Sequence, residues 1–562
     1  MRVQRYGRWT TTFDRLLGVD RVVFVGPDGS EETRPTFDHQ PAELVYDHHG
    51  YEDTVATGDP VTAVRFTPTT AGTYHYRAMS GDEVVDEDSL ECEPSDHASF
   101  AGGFVQISAR DPRYLALSNG DAFCAIGLCL CSPPRYPLPK GMEHFATSSD
   151  TATLGAAEYR RWFRELERAG ANYVRLWLSN PCFEPQTEVA GELDLSRFAR
   201  LDRVVELARQ HGIRIKMCLE HFRTFEPGSP FAKTLRHPED GRSPASMDAW
   251  FTEQTWRDLW LKKVRAYIAR YGDDPVVMAW ELWNEIDCCA TSSWKVQRAW
   301  TRDMLRAVKA MAPKQLVTNS LGSFDVERKQ GIQDDFHMEE MDFQQVHRYL
   351  DQGAPWRICT VDPVAFSLDA VQRARRPDRP IMLAETGAVN DRHTGPFRYY
   401  RADNRGILFY DTTFPAFFAG AAGTGQIWHW DHYVDGKDLW QEFRPFADLV
   451  DGIALDAEGF KPIDLSTDRA WILGLLGKEH ILLWVRNRAD SWHAVLRDEV
   501  EPAPLAPQDL DLAPLGVTGG AVERYAPWHD DTAGAADGAS LQGGILHLPA
   551  VRYAALVRVR RG

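Results

Sequence analysis

Apolar positions along the chain change their spacing twice. In residues 1 to about 95 they alternate in short runs broken by Gly, Pro and Asp. Val61-Thr-Ala-Val-Arg-Phe66 alternates, Pro68 and Gly72 bracket a turn, and Thr73-Tyr-His-Tyr-Arg77 alternates again. This predicts a hairpin within a β-sandwich. From about 104 the pattern lengthens. A small hairpin from Val105-Gln-Ile-Ser and Tyr114-Leu-Ala-Leu leads into Phe123-Cys-Ala-Ile-Gly127, and strand-length apolar runs then alternate with long amphipathic segments. The first helix is expected over 155–169, where Tyr159, Trp162, Phe163 and Leu166 share one stripe.

Further strands are expected at 173–178, 213–219, 276–283, 315–318, 345–347, 381–384 and 426–430. Helices are expected at 196–210, 248–271, 293–311, 363–376, 400–419 and 438–449. Eight such units over 104–452 predict a (β/α)8 barrel. A doubly wound sheet is the rival, but it would normally carry a Gly-rich phosphate loop after its first strand, and the sequence has none there. After about 460 helical spacing disappears. Strand-like runs at 471–474, 480–486 and 553–559, separated by Pro-, Asp- and Gly-rich stretches at 501–520 and 529–545, predict a C-terminal β-sandwich. The fold class is therefore multidomain α/β, with a central barrel (104–452) flanked by β domains (1–95 and 460–562).

Composition narrows the function. With 43% apolar and 26% charged residues, the 562-residue chain is globular and large enough for several cores. A net charge of −18 disfavours a nucleic-acid partner. No apolar run reaches membrane-span length, so no membrane partner is expected. The start, Met1 to Trp9, lacks an apolar signal region, and the 9 Cys are scattered. Both features read as a cytoplasmic protein with reduced thiols, with secretion left open. A homo-oligomer is compatible with the sequence but not specified by it. The 18 Trp suit either core packing or stacking on sugar rings.

Barrel enzymes place their chemistry where strands end. One strand runs out at Trp283-Asn284-Glu285 and another at Ala384-Glu385-Thr-Gly387. Two carboxylates at one rim are what glycosidic hydrolysis requires, one protonated to donate to the leaving oxygen and one ionised. Glu285, beside Trp283, is expected to have a raised pKa and act as acid/base. Glu385 is expected to be the nucleophile, kept ionised by Arg175, which is also counted among the substrate contacts and for which a structural ion pair is the alternative. Asn284 is placed at the sugar 2-hydroxyl, and Tyr349 is expected to hydrogen-bond Glu385. His347 would contact substrate or a carboxylate. Trp428 is favoured over Trp430 as the platform under a sugar ring. Asn180, His221, Glu220 and Asn319 are candidate subsite contacts, Asp287, Asp431 and His432 further rim candidates, and Glu281 a buried polar contact. His221, His347 and His429 do not have the spacing of a metal motif, and no metal or other cofactor is expected. The insertion 221–248 could wall off one end of the cleft.

Taken in order, Val-Arg175-Leu-Trp, Trp283-Asn-Glu285, His347-Arg-Tyr349, Ala384-Glu385-Thr-Gly387 and the Trp-rich eighth strand resemble the retaining glycosidases of cellulase-like family 5 over about 104–450. Phe66-Thr-Pro-Thr-Thr-Ala-Gly-Thr-Tyr74 resembles the immunoglobulin-like DUF5060 domain that precedes some of these barrels, and the tail resembles the small β-sandwich that often follows them. The resemblance implies hydrolysis of a β-linked glycoside or small oligosaccharide with retention of configuration. A transglycosylase with the same pair, a non-catalytic carbohydrate-binding protein and a metal-dependent barrel hydrolase are the competing readings.

Overall fold

The computed structural model describes residues 1–48, 50, 52–95, 100–133, 155–180, 182–221, 235–393, 395–527 and 538–562. Residues 222–234 of the insertion at 221–248 and 529–537 of the tail loop at 529–545 therefore lie outside the described residues.

At the centre, parallel strands run in barrel order: β1 (Gly127–Cys129), β2 (Tyr173–Trp177), β3 (Arg214–His221), β4 (Val277–Asn284) and β5 (Leu316–Thr318). Strands β6 (Gln344–His347) and β7 (Ile381–Glu385) pair in parallel. The eighth position is an irregular segment that closes the ring by backbone contacts. Gln426 N donates to Leu383 O (3.0 Å), Trp428 N to Thr386 O (3.0 Å) and Cys129 N to Ile427 O (3.1 Å). Every residue of β2, β3 and β4 is buried, because helices cover the barrel outside and side chains fill it inside. The helix Glu158–Arg168 buries the stripe Tyr159, Trp162, Phe163 and Leu166, as its spacing predicts.

Several expected elements differ in detail. Phe123 belongs to a three-stranded antiparallel sheet with 105–107 and 115–117, so the first barrel strand begins only at Gly127. That sheet plugs the N-terminal end of the barrel, its Val105, Leu115 and Phe123 sharing a core with Met278, Leu316, Phe343 and Met382. The helix expected over 248–271 divides at Glu253, whose backbone is extended (ψ 127°). The one expected over 400–419 is three short pieces, because Gly406 takes a left-handed conformation (φ 74°) and Pro415 starts a new turn. The segment after Trp430 winds as a π-helix, Trp430–Asp435.

The N-terminal residues form a five-stranded and a three-stranded sheet that share a core including Trp9, Phe24, Phe66 and Tyr76. Val61–Phe66 and Gly72–Ser80 are not a hairpin, since they lie in different sheets. Pro68 has no N–H to donate, and Thr67 N is taken by Asp273 of the barrel (2.7 Å), so the chain crosses between sheets there. C-terminal residues likewise form a five-stranded and a three-stranded sheet around a shared core that includes Ile472, Leu483, Leu546 and Val557. Both flanking units are tied to the barrel, through Arg65–Asp202 (2.8 Å) on one side and Arg486–Asp411 (2.8 Å) on the other. Among the described residues no helix is long and apolar enough to cross a membrane.

Candidate active site

At the C-terminal rim, β4 delivers Glu285 one residue past its end, β6 delivers His347 and then Tyr349, and β7 ends on Glu385. Glu285 sits at φ 54°, a strained left-handed conformation for a side-chain-bearing residue, held because its N–H donates to Ser320 Oγ (3.0 Å). The bend turns the carboxyl out of the strand direction and into the mouth.

Glu385 is buried and pinned from two sides. Tyr349 Oη donates to its Oε2 (2.6 Å), and Arg175 Nη1 donates to its Oε1. His347 Nδ1 lies 3.0 Å from Glu285 Oε1 and 3.5 Å from Glu385 Oε2, so the imidazole stands between the two carboxyls. One oxygen of each carboxyl and the imidazole nitrogen all lie within 4.8 Å of one another. Burial holds the His347 pKa down at about 4, which keeps the ring neutral near pH 7. Burial also raises Glu285 to about 7. His393 opposes that shift and Asp287 adds to it. One carboxyl of the pair is thus poised to carry a proton, while the other accepts hydrogen bonds from an arginine and a tyrosine.

Arg175, expected among the substrate contacts, is completely buried. Its Nε and Nη2 form a fork on Glu281 (2.7 Å each), Nη2 also reaches Asn284 Oδ1 (2.7 Å), and Nη1 goes to Glu385. It is a positioning residue, with its donors consumed by protein acceptors in the barrel interior. Burial alone would push the Glu281 carboxyl up, but Arg175 and Lys216 outweigh it and hold Glu281 well below the ordinary range. Glu281 is the buried polar contact that the sequence suggests.

Trp428 is partly exposed while Trp430 is buried, so of the two indoles Trp428 has a face to offer. Trp177 lies between Trp428 (ring centroids 4.7 Å) and His221 (4.1 Å), forming an aromatic wall from β2, β3 and the eighth position. Asn180 is turned to local use: its Oδ1 accepts from Cys182 N (2.9 Å). Glu220 is buried under Lys263 and Trp260 Nε1 (3.1 Å), and Asn319 is buried holding Trp283 N (2.9 Å), so neither presents its side chain to the cleft. Asp287 accepts from Gly322 N (2.6 Å), and Asp431 is buried with a carboxyl raised by that burial to about 6.

The sequence did not single out the dyad of Asp351 and His393 (Oδ2 to Nδ1 2.9 Å), which lies beside Tyr349 with the His393 ring edge-on at 5.5 Å. His393 also has a positive φ of 55°, a feature no spacing pattern reveals. Two groups at the rim are compact enough to hold a cation, Glu285–His347–Glu385 and Asp325–Asp351–His393. In the first, Glu385 already accepts from Arg175 and Tyr349, and His347 Nδ1 already faces Glu285. That set fits proton transfer better than metal binding.

Comparison with known proteins bears on the family and the fold. Residues 139–410 match the model of the cellulase family, glycosyl hydrolase family 5. The chain is similar to mannan endo-1,4-beta-mannosidase 7 of Arabidopsis thaliana, 27% identical over 310 residues that cover 50% of this chain and 70% of that protein. It is 29% identical to mannan endo-1,4-beta-mannosidase 4 of Oryza sativa subsp. japonica over 187 residues, 32% of this chain and 40% of that one. A crystal structure from Bacteroides vulgatus, of a protein assigned as a glycoside hydrolase, aligns over 100% of this chain and 99% of its own at TM-score 0.57 and 13% identity, which shows a common fold. The family match and these relatives support a cellulase-like family 5 barrel, and they indicate that the chain is an O-glycosyl hydrolase.

Proposed function

We propose that this O-glycosyl hydrolase cleaves β-linked mannose-containing oligosaccharides with retention of configuration, Glu385 acting as nucleophile and Glu285 as acid/base. The observation that carries the reading is the separation of the pair: an oxygen of Glu285 and one of Glu385 lie within 4.8 Å of each other. Retaining enzymes hold their carboxyl groups about 5–5.5 Å apart, whereas an inverting pair stands at about 6.5–9.5 Å to admit a water.

In the first step a Glu385 oxygen attacks the anomeric carbon, the C–O bond to the leaving sugar breaks, and the Glu285 proton passes to the departing oxygen. In the second, Glu285, now a carboxylate, takes a proton from water. The resulting hydroxyl attacks the anomeric carbon and releases Glu385. Arg175 and Tyr349 hold Glu385 in line and accept the change in its charge, and the partly exposed face of Trp428 supports the ring. The mannose preference follows the relatives, both of which are mannan endo-1,4-beta-mannosidases. The flanking units are read as β-sandwiches, the first of immunoglobulin-like, DUF5060-like kind.

Incubation with β-1,4-linked manno-, cello- and xylo-oligosaccharides, reading the first-formed anomer by NMR, tests the proposal. A β product from the manno series supports both parts. An α product overturns the role of Glu385, and β product from another series alone overturns the sugar. Glu385→Ala is expected to lower kcat by at least about 10⁴-fold. Chelator is expected to leave turnover unchanged, and loss of activity on chelation would favour a metal at Glu285–His347–Glu385 instead.

A further inference from the structure

At the opposite end of the barrel a hollow of about 510 Å³ opens where three parts of the chain meet. One wall is the N-terminal plug, with Arg113 and Tyr114. A second is the turn Arg375–Arg379 that feeds β7, and the third is the first strand of the C-terminal unit, with Lys461. Five cationic side chains line it: Arg113, Arg375, Arg376, Arg379 and Lys461. Among the described residues no carboxylate lines it, in a chain whose net charge is −18.

Three of these cations are neutralised from behind. Arg113 pairs with Asp111 (2.6 Å), Arg376 with Asp334 (3.2 Å) and Arg379 with Asp378 (2.8 Å), and none of those aspartates belongs to the lining. Arg375 reaches only the carbonyl of Ala419 (3.5 Å), and neither it nor Lys461 has a carboxylate partner among the described residues. The buried Tyr114 adds a phenol that burial keeps protonated, and therefore a donor. Like charges gathered around one hollow repel, and a multiply charged anion removes that cost while matching the planar fork of arginine. The volume lies in the usual range for small-molecule sites, about 300–1,000 Å³.

We propose that this hollow is a binding site for a compact phosphoryl anion, separate from the sugar cleft, that joins the plug, the barrel and the C-terminal unit. Ile381 at its edge begins β7 and Glu385 ends it, so the two sites stand at opposite ends of one strand, about 13 Å apart along it. Occupancy therefore stabilises the assembly of the three parts without competing with substrate.

Titration calorimetry and thermal unfolding with inorganic pyrophosphate, at ionic strength fixed by sodium chloride, provide the test. The wild-type chain is expected to bind one equivalent and to gain several degrees in Tm, with turnover unchanged. Arg375→Gln/Lys461→Gln is expected to weaken binding at least tenfold while keeping wild-type turnover. The single change Lys461→Glu at an exposed position gives the same reading should the double variant fold poorly. Equal affinity in wild type and variants, a Tm rise that chloride alone reproduces, or no binding overturns the proposal. Inorganic phosphate binding as tightly as pyrophosphate would still support it and would assign the hollow to a single phosphoryl group.

Discussion

Glu285 shows how one residue's environment selects its chemistry. Its carboxyl is raised to about 7, chiefly by burial, so it is protonated below that value and ionised above it. The first chemical step needs the protonated form. Turnover of unactivated glycosides should therefore fall as pH rises through about 7, which a pH profile of kcat measures. With an activated aryl leaving group, which needs little protonation, Glu285→Gln should cost far less than the about 10²–10⁴-fold expected for an ordinary glycoside. Equal losses with both substrates would remove Glu285 from that role. His393 favours the ionised form of Glu285, so His393→Ala is expected to move the alkaline limb upward. Arg175 poses the opposite problem. Replacing it with Met leaves Glu281 and Glu385 buried without their shared cation, a loss of about 3–5 kcal/mol that chemical denaturation would register even in the absence of substrate.

At the scale of elements, the barrel closes where side chains are absent. A Cβ on Gly127, at the start of β1, would stand 1.8 Å from the carbonyl oxygen of Tyr173, and one on Gly423 would stand 2.0 Å from that of Ala125. Both contacts are with backbone, which has no rotamer to relieve them; the first lies between β1 and β2, the second between the segment before β1 and the eighth position. Gly127→Ala is expected to destabilise the chain by about 1–3 kcal/mol, read as a lowered denaturant midpoint. Gly29→Ala, where nothing lies within 4 Å, should cost less and only through its φ of 80°. The short helices after β7 reflect the same local logic. Gly406 and Pro415 interrupt an apolar run whose spacing alone reads as one helix.

Across the whole molecule the three units share buried contacts. Leu473, Leu482, Trp484 and Trp492 of the C-terminal unit belong to the same core as the barrel helices. On the other side Lys314 pairs with both Glu32 of the N-terminal unit (2.8 Å) and Asp273 (2.6 Å). Differential scanning calorimetry is therefore expected to show the C-terminal unit and barrel unfolding in one transition. A separate low-temperature transition for either would mean that these contacts contribute little.

Much of this was legible in the sequence because it is periodic or terminal. The stripe Tyr159, Trp162, Phe163, Leu166 specifies a helix, and apolar runs ending in Asn-Glu and Ala-Glu specify strands that present carboxylates at a rim. Local pattern determines such features because side-chain direction follows backbone repeat. The rest depends on partners distant in the chain. Whether Val61–Phe66 pairs with Gly72–Ser80 or crosses to another sheet was decided by Asp273, about 200 residues away, taking the N–H of Thr67. Whether Arg175 touches sugar or protein was decided by Glu281, Asn284 and Glu385 converging on it. The dyad of Asp351 and His393 and the cationic hollow arise in the same way, from residues that no spacing connects and only the closed barrel brings together.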